Sequence, residues 1–256
     1  MLLTCDAGNT NIKLAIFDGF ERKAFVILET KPCEFKSLIM TFLYKSSVRE
    51  DNIDDCVLAS VVPSITKDII SAIQDVFHKN PIVISHNNYC GIKISNEISD
   101  EVGADLLVMS AYAYSRYQKE MLVVSLGTAT VISHITNDGT FTHCIIAPGF
   151  LAMANSLYNT TDMLPDVSVR KHDSLLVSNT IDAINVGVMD GYIGMVNYLI
   201  EEVKKELNSE PIIVGCGGVG KDASAYIHFD SYNPDLVTEG LDYLYMRYFN
   251  ENNSSK

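Results

Sequence analysis

Asp6-Ala7-Gly8-Asn9-Thr10-Asn11 stands between two apolar runs, and Ser125-Leu126-Gly127-Thr128-Ala129-Thr130 repeats that setting in the second half of the chain. Glycine lets a backbone approach an oligophosphate closely, and neighbouring N–H groups can point at its oxygens. A carboxylate at the end of the first apolar run, Asp6, can hold a hydrated Mg²⁺ against those phosphates. One such turn also marks an ordinary hairpin. Two of them, half a chain apart, point to two phosphate-gripping loops in two similar domains, and so to ATP.

The flanking pattern shows which elements must carry these turns. Residues 2–6 read as a short buried strand and 11–17 as its hairpin partner, with a turn at Asp18-Gly19 and a third strand over 24–28. A strand over 56–62 is closed by Pro63. Ser64 then caps a helix in which Ile65, Ile69, Ile73 and Phe77 recur every four residues. A further strand is expected over 81–85. Asp100 can cap a helix over 101–118, whose apolar side is Leu106, Leu107, Met109 and Ala113 and which carries Asp105 near its start. The pattern then restarts: strands over 121–125 and 129–135, a turn at Asn137-Asp138-Gly139, a strand over 140–147, a long helix over 180–207, a strand over 211–214 ending in Gly215-Cys216-Gly217-Gly218, and a last amphipathic helix over 235–249. In the long helix Ile181, Ile184, Val188, Met195 and Leu199 are the apolar positions. Residues 251–256 read as a frayed polar tail. The expected architecture is α/β, with mixed sheets flanked by helices, in two domains, 1–118 and 119–256, around a ligand cleft.

Composition narrows the function classes. The chain has 256 residues, 47% of them hydrophobic, which is ample for a core and excludes global disorder. The net charge of −13 opposes nonspecific binding to nucleic acid or an anionic membrane. No apolar run reaches the ~18 residues of a membrane span, and the start of the chain lacks the basic residues of a signal peptide. Cys5, Cys33, Cys56, Cys90, Cys144 and Cys216 follow no Cys-x-x-Cys spacing and are expected to be buried free thiols in a reducing compartment. No histidine pair has metal-ligand spacing.

Taken in order, Asp6-x-Gly8-Asn9-Thr10, Gly103-Ala104-Asp105, Gly127-Thr128-Ala129-Thr130 and Ile146-Ala147-Pro148-Gly149 resemble the motifs of type III pantothenate kinases. So do Leu164-Pro165, Asn179-Thr180 with Gly187 and Gly191, Gly217-Gly218, and Leu241 in the last helix. The resemblance spans nearly the whole chain. It implies the actin and sugar-kinase superfamily, with two ribonuclease-H-like domains around a nucleotide. The implied reaction is ATP-dependent phosphorylation of pantothenate to 4′-phosphopantothenate, the first step toward coenzyme A. It also implies Mg²⁺, a monovalent cation (K⁺ or NH₄⁺), a homodimer and a cytoplasmic location.

Within that resemblance the residues take matching tasks. Phosphoryl transfer depends mostly on positioning and charge neutralisation. Gly8, Asn9 and Thr10 would hold the transferring end of ATP, and Asp6 would orient Mg²⁺; a turn cap is the other reading of Asp6. Gly127 and Thr128 would form the second clamp, or a plain tight turn. Asp105 is the candidate general base for a primary alcohol. Its helix-start position lowers a carboxylate's pKa and keeps it ionised; it also suits an acid that merely complements the helix dipole. Gly103, with Ala104 beside it, would let substrate lie close to the backbone. Thr180 would reach substrate from a partner subunit, although Asn179-Thr180 alone reads as a helix cap. Gly217-Gly218 fits the turn beside adenosine.

The chain departs from the family pattern at four places. Ser125 replaces an aspartate, which weakens any metal role of that position. Leu106 replaces the arginine of Gly-Ala-Asp-Arg, a residue suited to a bidentate grip on a substrate carboxylate. His143-Cys144 replaces a glycine pair, and Asn96 an aromatic. The losses fall on substrate grip and on one metal carboxylate. They leave two other readings open: a catalytically impaired nucleotide-binding or regulatory paralogue, and a kinase of a different small alcohol.

Overall fold

In Leu2–Ala7 and Asn11–Asp18 alternate side chains face opposite ways, and the small residues between them allow a tight reversal, so the two runs pair as an antiparallel hairpin, β1 and β2. Glu21–Glu29 (β3) continues the meander against β2. The computed structural model describes residues 1–31, 34–88, 91–98, 101–161, 164–165, 167–218 and 221–249. The expected cap at Asp100, two of the six cysteines (Cys33 and Cys90) and the polar tail lie outside them.

The chain divides into two compact units, Met1–Tyr117 with Leu236–Lys256, and Gln118–Asp235. In the first unit, β4 (Asp55–Ser60) and β5 (Ile82–Val83) add in parallel beyond β1, so the sheet order is β3-β2-β1-β4-β5. β6 (Lys93–Ile94) is a two-residue strand farther along. One face of the sheet carries Leu3, Cys5, Ala7, Ile12, Leu14 and Ile16. It packs on Phe35, Ile39, Phe42 and Leu43 of α1 (Phe35–Lys45) and on Ile65, Ile69, Ile73 and Phe77 of α2 (Pro63–Phe77). The helical stripe expected for α2 is therefore its buried face. Its start differs from expectation: Pro63, with its preset φ, takes the first turn and no side chain caps it, so Ser64 lies inside the helix.

Thr4 and Asp6 point to the other face. There α3 (Ala104–Tyr117) packs against β4 and against α7 (Leu236–Leu244), and α7 also packs on β1, β2 and β4. A Cβ on Gly240 would stand 2.8 Å from Val108 Cγ1, so glycine there sets the close approach of α7 to α3. The last helix thus belongs to the first unit and corrects the expected assignment of all of 119–256 to a second domain. The apolar face of α7 fits a core, but chain order does not say which one. The helix is also shorter than expected, with a π-helical turn over Tyr245–Phe249.

The second unit repeats the first. β7 (Met121–Leu126), β8 (Ala129–Ile135) and β9 (Thr140–Pro148) form an antiparallel meander. β10 (Ile212–Cys216) and β11 (Ser231–Asn233) add in parallel beyond β7. Within this unit the order β9-β8-β7-β10-β11 has the same sequence of antiparallel and parallel pairings as β3-β2-β1-β4-β5. Leu122, Val124, Leu126 and Ile132 pack against Phe150 of α4 (Phe150–Thr160) and against Ile184, Val188, Tyr192 and Val196 of α5 (Thr180–Leu207). α5 has the expected bounds, but Ile181 is exposed. A short helix, α6 (Lys221–Ser224), precedes β11. Of the four described cysteines, Cys5, Cys56 and Cys216 are buried as expected, whereas Cys144 is exposed on β9.

Asp242 of α7 is buried, and its Oδ1 has no hydrogen-bond partner. Burial, reinforced by the charge of Glu239, pushes its pKa up to about 7. The folded protein therefore holds this proton more tightly than the unfolded chain does. Stability falls as pH rises from the unfolded value near ~4 to about 7, and this contribution is constant above that. Asp242→Asn is expected to raise Tm at pH 8 by on the order of 10 °C while matching wild type near pH 4. Thermal melts of both proteins across that range check it, and an equal difference at both ends contradicts it.

Candidate active site

Asp6 lies at the end of β1, where the strand enters the Gly8–Thr10 turn. The turn is braced by backbone and side chain together. Gly8 N–H donates to Asn11 O at 3.0 Å, Thr30 Oγ1 donates to Gly8 O at 2.7 Å, and Thr30 N–H donates to Thr10 O at 2.9 Å. Asn9 is exposed at the tip. Opposite Asp6 in the ladder stands Lys13, whose Nζ is 3.9 Å from Asp6 Oδ2. Burial pushes the Asp6 pKa up to about 6; Lys13 opposes the rise and Asp105 adds to it. Asp105 thus acts electrostatically on Asp6, and the two candidate carboxylates share one face of the first unit.

Asp105 occupies the first turn of α3 and accepts the Leu106 N–H on Oδ1 at 2.8 Å. A Cβ on Gly103 would lie 2.7 Å from that Oδ1. The missing side chain at Gly103 therefore makes room for the Asp105 carboxylate to fold back over the helix start, and Ala104 is buried beneath it. The helix start alone would lower the Asp105 pKa. Burial instead raises it, and the hydrogen bonds to backbone N–H groups only partly offset the rise.

In the second unit three backbone segments meet. Gly127 N–H donates to Ala129 O at 3.2 Å, closing the β7–β8 turn. A Cβ on Gly149 would fall 2.3 Å from Thr128 O and 2.4 Å from Gly127 O. Gly217, at φ +99°, lies so close to β7 that a Cβ would be 2.5 Å from Leu126 O. The β7–β8 turn is thus packed, backbone on backbone, between the end of β9 and the turn after β10. Thr130 anchors it from below, with Oγ1 2.8 Å from the buried Tyr192 hydroxyl of α5. Thr128 and Gly218 are exposed, and Ser125 is half-buried at the end of β7. Thr180 is an exposed first residue of α5, while Asn179 caps that helix by accepting the Asp182 N–H at 3.0 Å.

The sequence reading missed Lys13 and the seat that Gly149 forms for the β7–β8 turn. The alternation of β2 places Lys13 on the same face as its ladder partner Asp6, and that was the available signal. Among the described residues no three His, Cys, Asp or Glu side chains gather into a metal site. Mg²⁺ carried on nucleotide phosphates needs only one or two carboxylates, and the buried Asp6 fits that role.

The model of one protein family, described as type III pantothenate kinase, matches residues 2–202. Type III pantothenate kinases from Dictyoglomus turgidum and Agathobacter rectalis are 35% and 33% identical to this chain, each aligned over 96% of it and over 99% and 97% of their own lengths. The chain belongs to the type III pantothenate kinase family. Its fold also resembles that of the activator of the 2-hydroxyisocaproyl-CoA dehydratase from Clostridium difficile, solved with bound ADPNP. That match has a TM-score of 0.57 at 12% identity and covers 99% of this chain and 96% of the other. A Sinorhizobium meliloti protein assigned as a 2-dehydro-3-deoxygalactonokinase matches with a TM-score of 0.62 at 10% identity, over 98% and 97% of the two chains.

Within the type III pantothenate kinase family, the buried Asp6 makes a pH prediction. Its carboxylate must be ionised to hold a cation, so kcat/KM for MgATP is expected to fall as pH drops through about 6. Because Asp6 and Asp105 interact, the limb belongs to the pair. Raising Mg²⁺ is expected to move it to lower pH, since a bound cation favours the charged form. A flat profile from pH 7 down to 5 contradicts the role given to Asp6.

Proposed function

We propose that this chain transfers the γ-phosphoryl group of ATP to the 4′-hydroxyl of pantothenate, giving ADP and 4′-phosphopantothenate at the entry to coenzyme A synthesis. The observation that carries this reading is the near-full-length relationship to type III pantothenate kinases, in a chain that keeps Asp6 and Asp105 on one face. Asp105 accepts the proton of the attacking hydroxyl. Gly8, Asn9 and Thr10 hold the transferring end of ATP, Gly127 and Thr128 take its other phosphates, and the Gly217-Gly218 turn lies beside adenosine. Asp6 holds Mg²⁺, which supplies charge neutralisation on the phosphates when bound. Lys13 keeps Asp6 oriented and adds positive charge near the phosphoryl oxygens.

The repeated strand order supports two ribonuclease-H-like domains of the actin and sugar-kinase kind. By the family resemblance, the protein works as a cytoplasmic homodimer, with Thr180 reaching the partner's substrate, and with K⁺ or NH₄⁺ as a further cofactor. Ser125, a hydroxyl where the family has a carboxylate, makes that cation's site weaker. No described helix is long and apolar enough to cross a membrane.

Leu106 offers no grip for a carboxylate, so acceptor preference is the informative test. Turnover with MgATP is measured over pantothenate and a panel of small primary alcohols with and without a carboxylate. The highest kcat/KM is expected for pantothenate. A larger value for another alcohol overturns the substrate assignment, and no turnover with any acceptor overturns the kinase assignment.

A further inference from the structure

Tyr232 of β11 lies outside every motif that marks the family resemblance, yet it is bonded to the turn that those motifs place beside the nucleotide. Its hydroxyl donates to the carbonyl of Gly217. Its ring stacks on Phe229, with centroids 5.7 Å apart and planes 25° apart. Phe229 in turn lies against Gly215, where a Cβ would meet the ring at 2.7 Å. The Ser224 hydroxyl at the end of α6 is close enough to affect the phenol, and it donates to Lys221 O at 2.6 Å. The phenol is therefore anchored on the Gly217 carbonyl, with the Ser224 side chain of α6 near it. Burial pushes its pKa up to about 12, which keeps it a hydrogen-bond donor throughout the working pH range.

The peptide bond that follows Gly217 is planar and trans, so its C=O and the N–H of Gly218 point in opposite directions. Holding the Gly217 carbonyl against β11 turns the Gly218 N–H to the other, exposed side. The +99° φ of Gly217 and its contact with Leu126 fix where that peptide sits, one residue from the Gly127-Thr128 turn.

We propose that Tyr232 is a positioning residue for the adenine nucleotide: its hydroxyl aims the Gly217–Gly218 peptide so that the N–H is presented to the nucleoside side of the ligand. This rests on the kinase reading, which supplies the adenine nucleotide and sets the Gly217-Gly218 turn beside its nucleoside. Tyr232 touches the turn and not the reacting atoms, so its loss alters nucleotide affinity while the phosphate turn keeps its own grip.

The test is calorimetric titration of wild type and Tyr232→Phe with ADP and, separately, with inorganic tripolyphosphate. Phenylalanine keeps the stack on Phe229 and removes only the hydroxyl. ADP affinity is expected to fall about five- to tenfold, with tripolyphosphate affinity and Tm unchanged. Unchanged ADP affinity overturns the proposal, as does an equal loss for tripolyphosphate. If the Tyr232→Phe substitution lowers Tm, both titrations are run well below the lower melt: a loss confined to ADP supports the proposal, and a loss shared equally with tripolyphosphate overturns it. Wild-type protein that binds ADP but phosphorylates no alcohol refutes the kinase reading and leaves this test intact.

Discussion

Asp105→Asn lowers turnover by at least ~10²-fold while leaving the affinity for ATP close to wild type. Asparagine has the shape of aspartate and can still accept the Leu106 N–H through its carbonyl oxygen, so the start of α3 and the space over Gly103 are preserved. What it cannot do is take the proton of the attacking hydroxyl. The raised pKa of Asp105 strengthens this expectation, because a carboxylate whose charged form is disfavoured by burial is a better proton acceptor than an exposed one. The charge on Asp105 also raises the pKa of Asp6, so the variant is expected to shift the acid limb of the pH profile downward. Steady-state kinetics at several pH values, with direct titration of ATP, separate the two effects. Near-wild-type turnover assigns Asp105 to helix-dipole compensation and removes it from the chemistry.

Gly149→Ala is expected to lower kcat/KM for MgATP on the order of 10²-fold, although residue 149 carries no functional group. Its Cβ would fall 2.3 Å from Thr128 O, 2.4 Å from Gly127 O and 2.7 Å from Thr128 C. All three are backbone atoms, so no rotamer relieves the contact. Either the Gly127-Thr128 turn lifts off its seat or the junction of β9 and α4 moves. The cost in stability is of the order of 1–3 kcal/mol, the range for inserting a methyl group into a packed site. Most of the unit's core is remote from the clash, so the variant folds but holds the turn out of place. Tripolyphosphate affinity separates displacement of the turn from general loosening: it is expected to fall in Gly149→Ala and to hold in Tyr232→Phe. Unaltered kinetics in Gly149→Ala mean that the turn is not a phosphate site.

The extent to which the sequence revealed this site follows from where the information lies. Both hairpins were readable because the apolar runs on either side of Gly8–Thr10 and Gly127-Thr128 are long enough to be strands and the gaps are too short for anything but a turn. The start of α5 was readable from the Asn179 cap, and its end at Asn208, which has φ +51°, terminates a long apolar periodicity. α1 and α4 were missed. α1 buries Phe35, Ile39, Phe42 and Leu43 at helical spacing but has no side-chain cap to mark its start, whereas α4 buries only Phe150 and shows no stripe at all.

Long-range placement was the harder part. An amphipathic α7 fits either unit's core from sequence, and its packing on β1, β2 and β4, with Gly240 against Val108 and Tyr112, shows where it belongs. The Asp105 pKa was misjudged because the helix start is visible in sequence while the burial that outweighs it is not. Gly149 and Gly217 carry the same lesson. Sequence marks them as small, and the structure shows that each is small because another backbone passes within a Cβ's reach.

Whether a phosphoryl group passes from ATP to pantothenate is decided by following the phosphorus atom itself. Wild-type protein is incubated with ATP labelled at the γ-phosphorus, Mg²⁺, K⁺ and pantothenate, and the products are separated. Label is expected in phosphopantothenate, in amount equal to the ADP formed, and is expected to be absent from that product in Asp105→Asn on the same time scale. Label that stays in ATP, or that appears only as inorganic phosphate in the wild-type reaction, contradicts the transfer.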